Sequence, residues 1–512
     1  MYPVLTGRVA LAPSRYAIID ASEAGWEGSI GMLGGRGAVE IGRRLWHALP
    51  SRLAPGPCLR VAVALTGVLA AGLLLSGDIA ADLAPSGRAA LGVTALAVGL
   101  WGSELLPLPT TALLAVLLLY TSGAVARAED ALVGFSSPVL FFLLGSAGLG
   151  IAAEVTGLAD RLAAWLLSRS RGSGPRLLGE LLLSLPLQSL VVPSAMSRNA
   201  VLVPIYERVL ERLGRPASLG AAVMLALGVL GPLSSSALLS GGTSPVAAAT
   251  ALGGFTWLTW LVALAVPYYA LLAVDSGLLS LFARPPASGN FEPSATPEPR
   301  SPLSRPEKRV AAIVLLTSLL WMLDSLTHWP PVVPAMIALV VLLTPVVGVL
   351  GWRDFAARAP WSTAFVLAAA VSLAVALAQS GAAAWLADRL FAPFPRPESA
   401  GTAALIVFVV AALIALAIPN RAAAITLVIP MATAYAVGTP LSPVAAGLIV
   451  MIAVDAETIY PAQTAANLLA YEKGYFGPGL LARYNLATLA AAVVVIELVA
   501  LPWWEVVGLP GG

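Results

Sequence analysis

The chain has 512 residues, 58% of them hydrophobic and 11% charged, with a mean hydropathy of +0.87. Soluble domains carry about 25% charged residues, so most of this chain is dissolved in lipid. A net charge of +2 gives no argument for nucleic acid, the single Cys58 excludes an internal disulfide framework, and His47 and His328 are too few for a His-rich metal site; no GxGxxG follows a strand-like run and no Walker-type lysine loop appears.

Residues 1–57 hold Arg8, Arg15, Arg36, Arg43, Arg44 and Arg52 among glycines and prolines. They lack the compact apolar run of a cleaved signal peptide and read as a poorly ordered cytoplasmic leader. A spanning helix takes about 20 mainly apolar residues. Hydropathy places such spans near 59–77, 89–106, 109–125, 137–156, 218–240, 251–282, 309–326, 332–350, 362–391, 441–470 and 484–504. Two more apolar stretches, 177–210 and 401–437, are too long for one span, and each is interrupted midway by proline and a polar residue. Each fits a helical hairpin that enters and leaves on one side. Glu104 reads as a helix-end residue, and Trp101, Trp503 and Trp504 as an interfacial belt.

Basic residues set the orientation. With the leader inside, the inner loops carry Arg161, Arg169, Arg171 and Arg176, then Arg208, Arg212 and Arg215, then Arg284, Arg300, Arg305, Lys308 and Arg309, then Arg353 and Arg358, then Lys473 and Arg483. The outer loops mix Arg88, Arg127, Arg389 and Arg396 with acidic residues. This is the positive-inside bias, and it supports about eleven crossings plus two re-entrant hairpins.

The Pro/Ser-rich segment 283–308 is a cytoplasmic linker between two halves, 58–282 and 309–512. The halves repeat. "GLADRLAAWLL" at 157–167 echoes "GAAAWLADRLF" at 381–391, Pro193 and Pro204 are spaced as Pro419 and Pro430 are, and "SGGTSP" at 240–245 answers "PAQTAAN" at 461–467. Five crossings lie between the hairpins, so the second half is inverted relative to the first. Inverted repeats with interrupted helices mark secondary transporters, which bind substrate where the broken helices meet.

Irregular backbone survives in a bilayer only where protein or a water-filled cavity receives its polar groups. The hairpin tips Pro193–Arg198 and Pro419–Ala422, and the breaks Gly231–Pro245 and Asp455–Asn467, are such places. Helix N-termini there favour an anion, and Arg198 and Arg421 add to that sign. Two readings stand for each arginine: direct contact with a substrate, or pairing with Asp455 or Glu457 or snorkelling to an interface. Asp455 and Glu457 are arginine counter-ions, proton-coupling carboxylates, or both.

In "WGSELLPLPTTALL", "GLADRLA", "PSAMSRNAVLVPI", "SGGTSP", "PNRAAAITLVIP" and "GYFGPGLLARYNLATL…PWWEVVGL", from about residue 58 to the end, the chain resembles the divalent-anion:sodium symporter family. That family includes sodium-coupled dicarboxylate, citrate and sulfate transporters. The resemblance implies two inverted repeats, two re-entrant hairpins, a homodimer and elevator-type motion. Family hairpin tips carry Ser-Asn-Thr, which supplies substrate contacts and sodium ligands. Here the matching tips read Ser194-Ala195-Met196 and Asn420-Arg421-Ala422. Arg198 stands where some branches also have arginine. Arg421 replaces an asparagine beside an expected sodium site, where two cations about 4 Å apart would repel by roughly 4 kcal/mol at an effective dielectric near 20. A first sodium site through Ser194 and carbonyls near Gly241 and Gly242 stays open.

The expected protein is thus an all-α polytopic carrier in the plasma (inner) membrane, not an enzyme, moving a small anion such as a di- or tricarboxylate or sulfate. Ser194, Arg198, Thr243, Ser244, Asn420, Arg421, Thr464 and Asn467 are candidates for the substrate. Ser194, Gly241, Gly242, Asp455 and Glu457 are candidates for a coupling Na+ or H+, with no organic cofactor. A proton-coupled or cation-independent exchanger using Asp455 or Glu457 is the alternative within transport. A polytopic membrane enzyme and a channel are the readings from other classes.

Overall fold

The computed structural model describes residues 57–76, 80–103, 105–158, 161, 173–191, 195–212, 214, 216–283, 302–416, 418, 420–459 and 464–509. Most of the leader and of the linker, the tip residues Pro193, Ser194 and Pro419, and Glu104 lie outside them. Helices make up the described chain: α1 Pro57–Ser76, α2 Pro85–Ser103, α3 Leu108–Thr121, α4 Pro138–Val155, α5 Gly174–Val191, α6 Ala195–Arg212, α7 Ala217–Ser235, α8 Thr243–Leu252 and α9 Trp257–Phe282. After the linker come α10 Arg305–Met322, α11 Val332–Leu343, α12 Trp361–Gln379, α13 Ala382–Phe391, α14 Ala400–Ala415, α15 Arg421–Ala436, α16 Pro443–Ala456, α17 Ala465–Tyr471 and α18 Pro478–Val506.

The helix starts are chemically marked. Ser137, Thr256, Ser304, Ser399 and Ser442 each accept a hydrogen bond from a first-turn backbone N–H. Such caps satisfy donors that would otherwise be orphaned. Proline stands at the first or second position of α3, α4, α16 and α18, where its missing N–H costs nothing. Among the described residues five helices, α4, α7, α9, α12 and α18, are long and apolar enough to cross a bilayer. Leu65, Leu69, Leu315 and Leu498 are 61–73% exposed on the outside of α1, α10 and α18. Those faces suit lipid.

Several expected spans are broken in the structure. The stretch 362–391 is two helices, α12 and α13, because Gly381 turns the chain in a left-handed conformation (φ 75°) that stops α12. The stretch 441–470 is α16 and α17, and 251–282 contains only α9 after a turn through Gly253 and Gly254. Gly231 belongs inside α7, so the first break begins only after Ser235.

The linker separates two series of helices, α1–α9 before it and α10–α18 after it. The two series pack reciprocally. α4 lies against α11 as α12 lies against α3, and α6 against α17 as α15 against α8. Among the described residues four ion pairs join one series to the other: Asp82–Arg389 (2.8 Å), Glu154–Arg358 (2.7 Å), Arg161–Glu307 (2.8 Å) and Glu207–Lys473 (2.7 Å). The Arg389 guanidinium, helped by the Trp385 indole, holds Asp82 below the usual carboxylate range. The exposed Asp82–Arg389 pair contributes about 0–1 kcal/mol, whereas the Glu307 carboxylate that Arg161 holds is buried.

The tryptophan belt needs correction. Trp101 and Trp504 are buried, and each indole N–H serves a backbone carbonyl: Trp101 that of Leu108 at 3.3 Å, Trp504 that of Ala263 at 2.9 Å. The second contact has a local cause. Pro267 inside α9 has no N–H for the carbonyl four residues earlier, which is that of Ala263. Trp503 adds a bond to the carbonyl of Val262 at 2.8 Å.

Candidate functional site

Two helices stop inside the protein. α7 carries a π-turn over Ala226–Leu230 and ends at Ser235, and a short 3-10 turn, Leu239–Gly241, leads to α8. The chain doubles back so closely that a Cβ on Gly241 would lie 1.8 Å from the carbonyl oxygen of Ser235. Only glycine fits there. α16 ends at Ala456, Glu457 follows as extended backbone, and α17 restarts after Thr464, whose hydroxyl caps the Asn467 N–H at 3.1 Å.

An arginine closes each break. Arg198, 3% exposed, donates to the carbonyl of Gly231 at 3.1 Å and to Ser235 Oγ. Ser235 Oγ itself donates to the same Gly231 carbonyl at 2.8 Å. Arg421, half-buried at the first position of α15, donates to the carbonyl of Glu457 at 2.9 Å and to Thr458 Oγ1. Arginine and hydroxyl are 37 residues apart in both centres. Yet the two are not equivalent positions. The tip prolines of the halves are 226 residues apart, and in that register Arg198 matches Ala424 while Arg421 matches Ala195. The whole first constellation is shifted by three residues, nearly one helical turn or about 4.5 Å.

Tyr268 of α9 ties the breaks together. Its hydroxyl donates to Asp455 Oδ2 at 3.0 Å, and the Ser236 hydroxyl lies within its reach. Asp455, Glu457 and Tyr268 all act electrostatically on Arg421. Its guanidinium nevertheless donates to a carbonyl and a hydroxyl. Asn199, beside Arg198, spans the two series: its Nδ2 donates to Leu227 O at 2.8 Å in the π-turn and to Ala466 O at 3.0 Å in α17.

The candidates from sequence divide accordingly. Arg421, Asp455 and Glu457 come together at the second break, and Arg198 meets the first. Thr243 and Ser244 open α8, directly after the first break. Asn420 caps α15 by accepting from the Ala423 N–H at 3.0 Å, and Thr464 caps α17. Asn467 is fully buried against the π-turn, its Oδ1 2.8 Å from where a Cβ on Gly228 would stand. Gly242 has open space beside it, whereas Gly241 is fixed by packing. Ser194 lies outside the described residues. Sequence reasoning missed Ser235, Thr458, Tyr268 and Asn199. A signal existed for the first two, since the Ser234-Ser235-Ser236 run and Thr458 are hydroxyls beside helix breaks.

Sodium needs oxygen ligands, and the carbonyl and hydroxyl at each break are of that kind. A guanidinium already occupies both pairs, so neither fits a sodium ion. A cavity of about 590 Å³ between the start of α4 and α11 is lined by Phe141, Met336 and Ile337 and touches neither arginine. Its apolar walls suit lipid better than an anion.

Residues 66–509 match the sodium:sulfate symporter transmembrane region. The chain is 29% identical to a membrane protein of Cupriavidus necator over 59% of its own length and 64% of that relative's, just under two thirds of it. It is 23% identical to an uncharacterized transporter of Haemophilus influenzae, over 82% of this chain and 92% of the other. It is also 22% identical to a sodium-dependent dicarboxylate transporter of Staphylococcus saprophyticus, over 82% and 86%. A helical, lipid-compatible chain with charged groups gathered at broken helices, matched along nearly its whole length, is a multi-pass membrane transporter and not an enzyme: it belongs to the sodium:sulfate symporter family.

Proposed function

We propose that the chain is a secondary active carrier of small dianions, with dicarboxylates the leading class, and that it exchanges one anion for another rather than importing with sodium. The observation that carries this reading is the guanidinium of Arg421 lying on Glu457 O and Thr458 Oγ1. It supplies a permanent cation where the resemblance expects a sodium ion. Arginine is not deprotonated in proteins, so this charge is present in every state of the cycle. An empty site would move it without its anion through a low-dielectric path, which is costly. A loaded site moves it neutralised. Return with a second anion is therefore favoured. Asp455 and Glu457 are the groups through which protons would relax that constraint. The dicarboxylate class is taken from the Staphylococcus relative and from the positive N-terminus of α15, where a carboxylate is stabilised.

The architecture that goes with this reading has about eleven crossings, two re-entrant hairpins (α5–α6 and α14–α15), inverted repeats, an elevator-type motion and a homodimer in the plasma membrane, with a cytoplasmic N-terminus. Reciprocal packing of the two series supports the repeat. Each of the four ion pairs also joins residues that the charge bias assigns to one side. Impermeant thiol reagents should reach cysteines placed at Ala195 from inside and at Ala422 from outside; labelling of both from one side only, in every condition, would defeat the inversion. A native mass of one protomer in nanodiscs would defeat the dimer.

The test of exchange uses proteoliposomes. Uptake of labelled succinate, citrate or sulfate should require internal anion and be indifferent to a sodium gradient. Strong sodium dependence, unaffected by internal anion or pH, would overturn the role given to Arg421.

A further inference from the structure

Asp275 is fully buried in α9, two turns from its cytoplasm-directed end, and among the described residues neither carboxyl oxygen has a hydrogen-bond partner. Across the seam with α18 stands Thr488, also fully buried, whose Oγ1 is likewise unpartnered. The two side chains lie close enough to interact. Tyr484, one turn before Thr488, donates its hydroxyl to the backbone carbonyl of Asp275 at 3.1 Å and so pins the two helices at this level. The same face of α18 carries Asn485, whose Nδ2 holds the carbonyl of Ala456 at 2.7 Å, at the start of the second break. The carboxyl therefore sits one helix away from the break that carries Asp455 and Glu457.

Among the described residues no charged side chain is paired with Asp275. On α18, Tyr484 is the titratable group set against it, whereas Arg483 is exposed and donates to the carbonyl of Gly479 at 3.1 Å. Arg305, Glu307, Lys308 and Arg309 belong to the first turns of α10, where Glu307 is held by Arg161. Glu497 and Glu505 are further along α18 by nine residues or more, Asp324 belongs to the turn after α10, and α7 has no titratable residue. On α9 itself, Tyr268 is engaged by Asp455, and Tyr269 lies next to it in sequence. An ionised carboxylate in such a place is strongly disfavoured. Two ligands would relieve it: a metal cation or a proton. An alkali cation needs a shell of oxygens, but α9 is helical through Asp275 and α18 through Thr488, so their carbonyls are engaged in helical hydrogen bonds. A proton needs a single acceptor, and Thr488 Oγ1 supplies it.

We propose that Asp275 and Thr488 form a proton-binding site in the α9–α18 seam, separate from Asp455 and Glu457. Asp275 holds the proton in this conformation and releases it when the seam admits water, and this makes anion transport respond to a pH gradient. The proposal rests on the carrier reading only for its second half. Its first half is tested without transport: infrared difference spectra of the full chain in nanodiscs at neutral pH should show a protonated carboxyl band that disappears in Asp275→Asn and shifts in Thr488→Val. Absence of any band removed by Asp275→Asn means an ionised Asp275 and overturns the proposal. In proteoliposomes, pH-gradient stimulation of succinate counterflow should be lost in Asp275→Asn and retained in Asp275→Glu. Stimulation undiminished in Asp275→Asn overturns the coupling role. If wild-type liposomes show no carrier activity at all, the fault lies with the proposed function, and the infrared result stands alone. Should Asp275→Asn fail to fold, Thr488→Val carries both measurements.

Discussion

The two arginine centres make the same pair of contacts from different depths in their helices. Arg198 is the fourth residue of α6 and almost wholly enclosed, whereas Arg421 is the first residue of α15 and half-buried. One turn decides what each cation can meet. From inside its helix, Arg198 reaches the end of α7 and fastens it, with Ser235 completing a closed triangle. From the tip, Arg421 adds its charge to the positive end of the helix dipole and faces Asp455 and Glu457. The lesson is that an intramembrane arginine is read by its place relative to the helix start: inside, a clasp; at the start, a charge added to the positive end of the helix dipole.

That contrast can be broken most forcefully at Arg198. Arg198→Met removes the charged donor that Ser235 Oγ accepts from in a buried place, leaving the Gly231 carbonyl to the neighbouring serine hydroxyls alone. It should cost about 3 kcal/mol or more in unfolding free energy, read as a lower melting temperature in detergent. A variant that melts like the wild type but no longer transports would show that Arg198 also belongs to the site. Arg421→Asn should do the reverse. Its melting temperature should change little, while anion exchange falls by about 10²-fold, the scale of losing one preorganised donor at a charged site, or becomes sodium-dependent.

A smaller effect is expected at the turn under Arg198. Gly241→Ala places a Cβ against the Ser235 carbonyl and should destabilise by about 1–3 kcal/mol. Gly242→Ala, with open space and an extended backbone at φ 176°, should stay within about 0.5 kcal/mol. Equal melting shifts for the two would refute the close approach. Smallest is Thr458→Val, which removes one acceptor from Arg421 while keeping the side-chain shape. It should weaken anion affinity by about 1 kcal/mol, roughly fivefold in KM, with the melting point unchanged.

Much of this was legible in the sequence. Composition gave the membrane, prolines with polar residues in apolar runs gave the interruptions, and Arg198, Arg421, Asp455 and Glu457 were visible as charges where lipid tolerates none. What escaped had no such contrast. Ser235 and Thr458 are small hydroxyls whose role exists only once an arginine 37 residues earlier reaches them. Tyr268 reads as an ordinary aromatic of a long helix until Asp455, 187 residues later, arrives beside it. Gly381 ends α12 through a backbone angle that hydropathy averages away. The tryptophans were misjudged for a related reason: hydropathy reports where an indole would rest, not which carbonyl is short of a donor.

The bond from Trp504 to Ala263 has a consequence in time. Pro267 leaves that carbonyl without its helical donor from the moment α9 is made, and the indole that satisfies it follows 241 residues later. At about 5–20 residues per second, a ribosome takes on the order of ten to fifty seconds to supply it. During that interval α9 is a nascent helix with an orphan acceptor at its bend, and the arrival of Trp504 on α18 closes it. Stop codons just ahead of Trp503 would therefore do more than trim a tail. They would release chains held at the waiting stage, with α9 complete and its final donors never delivered.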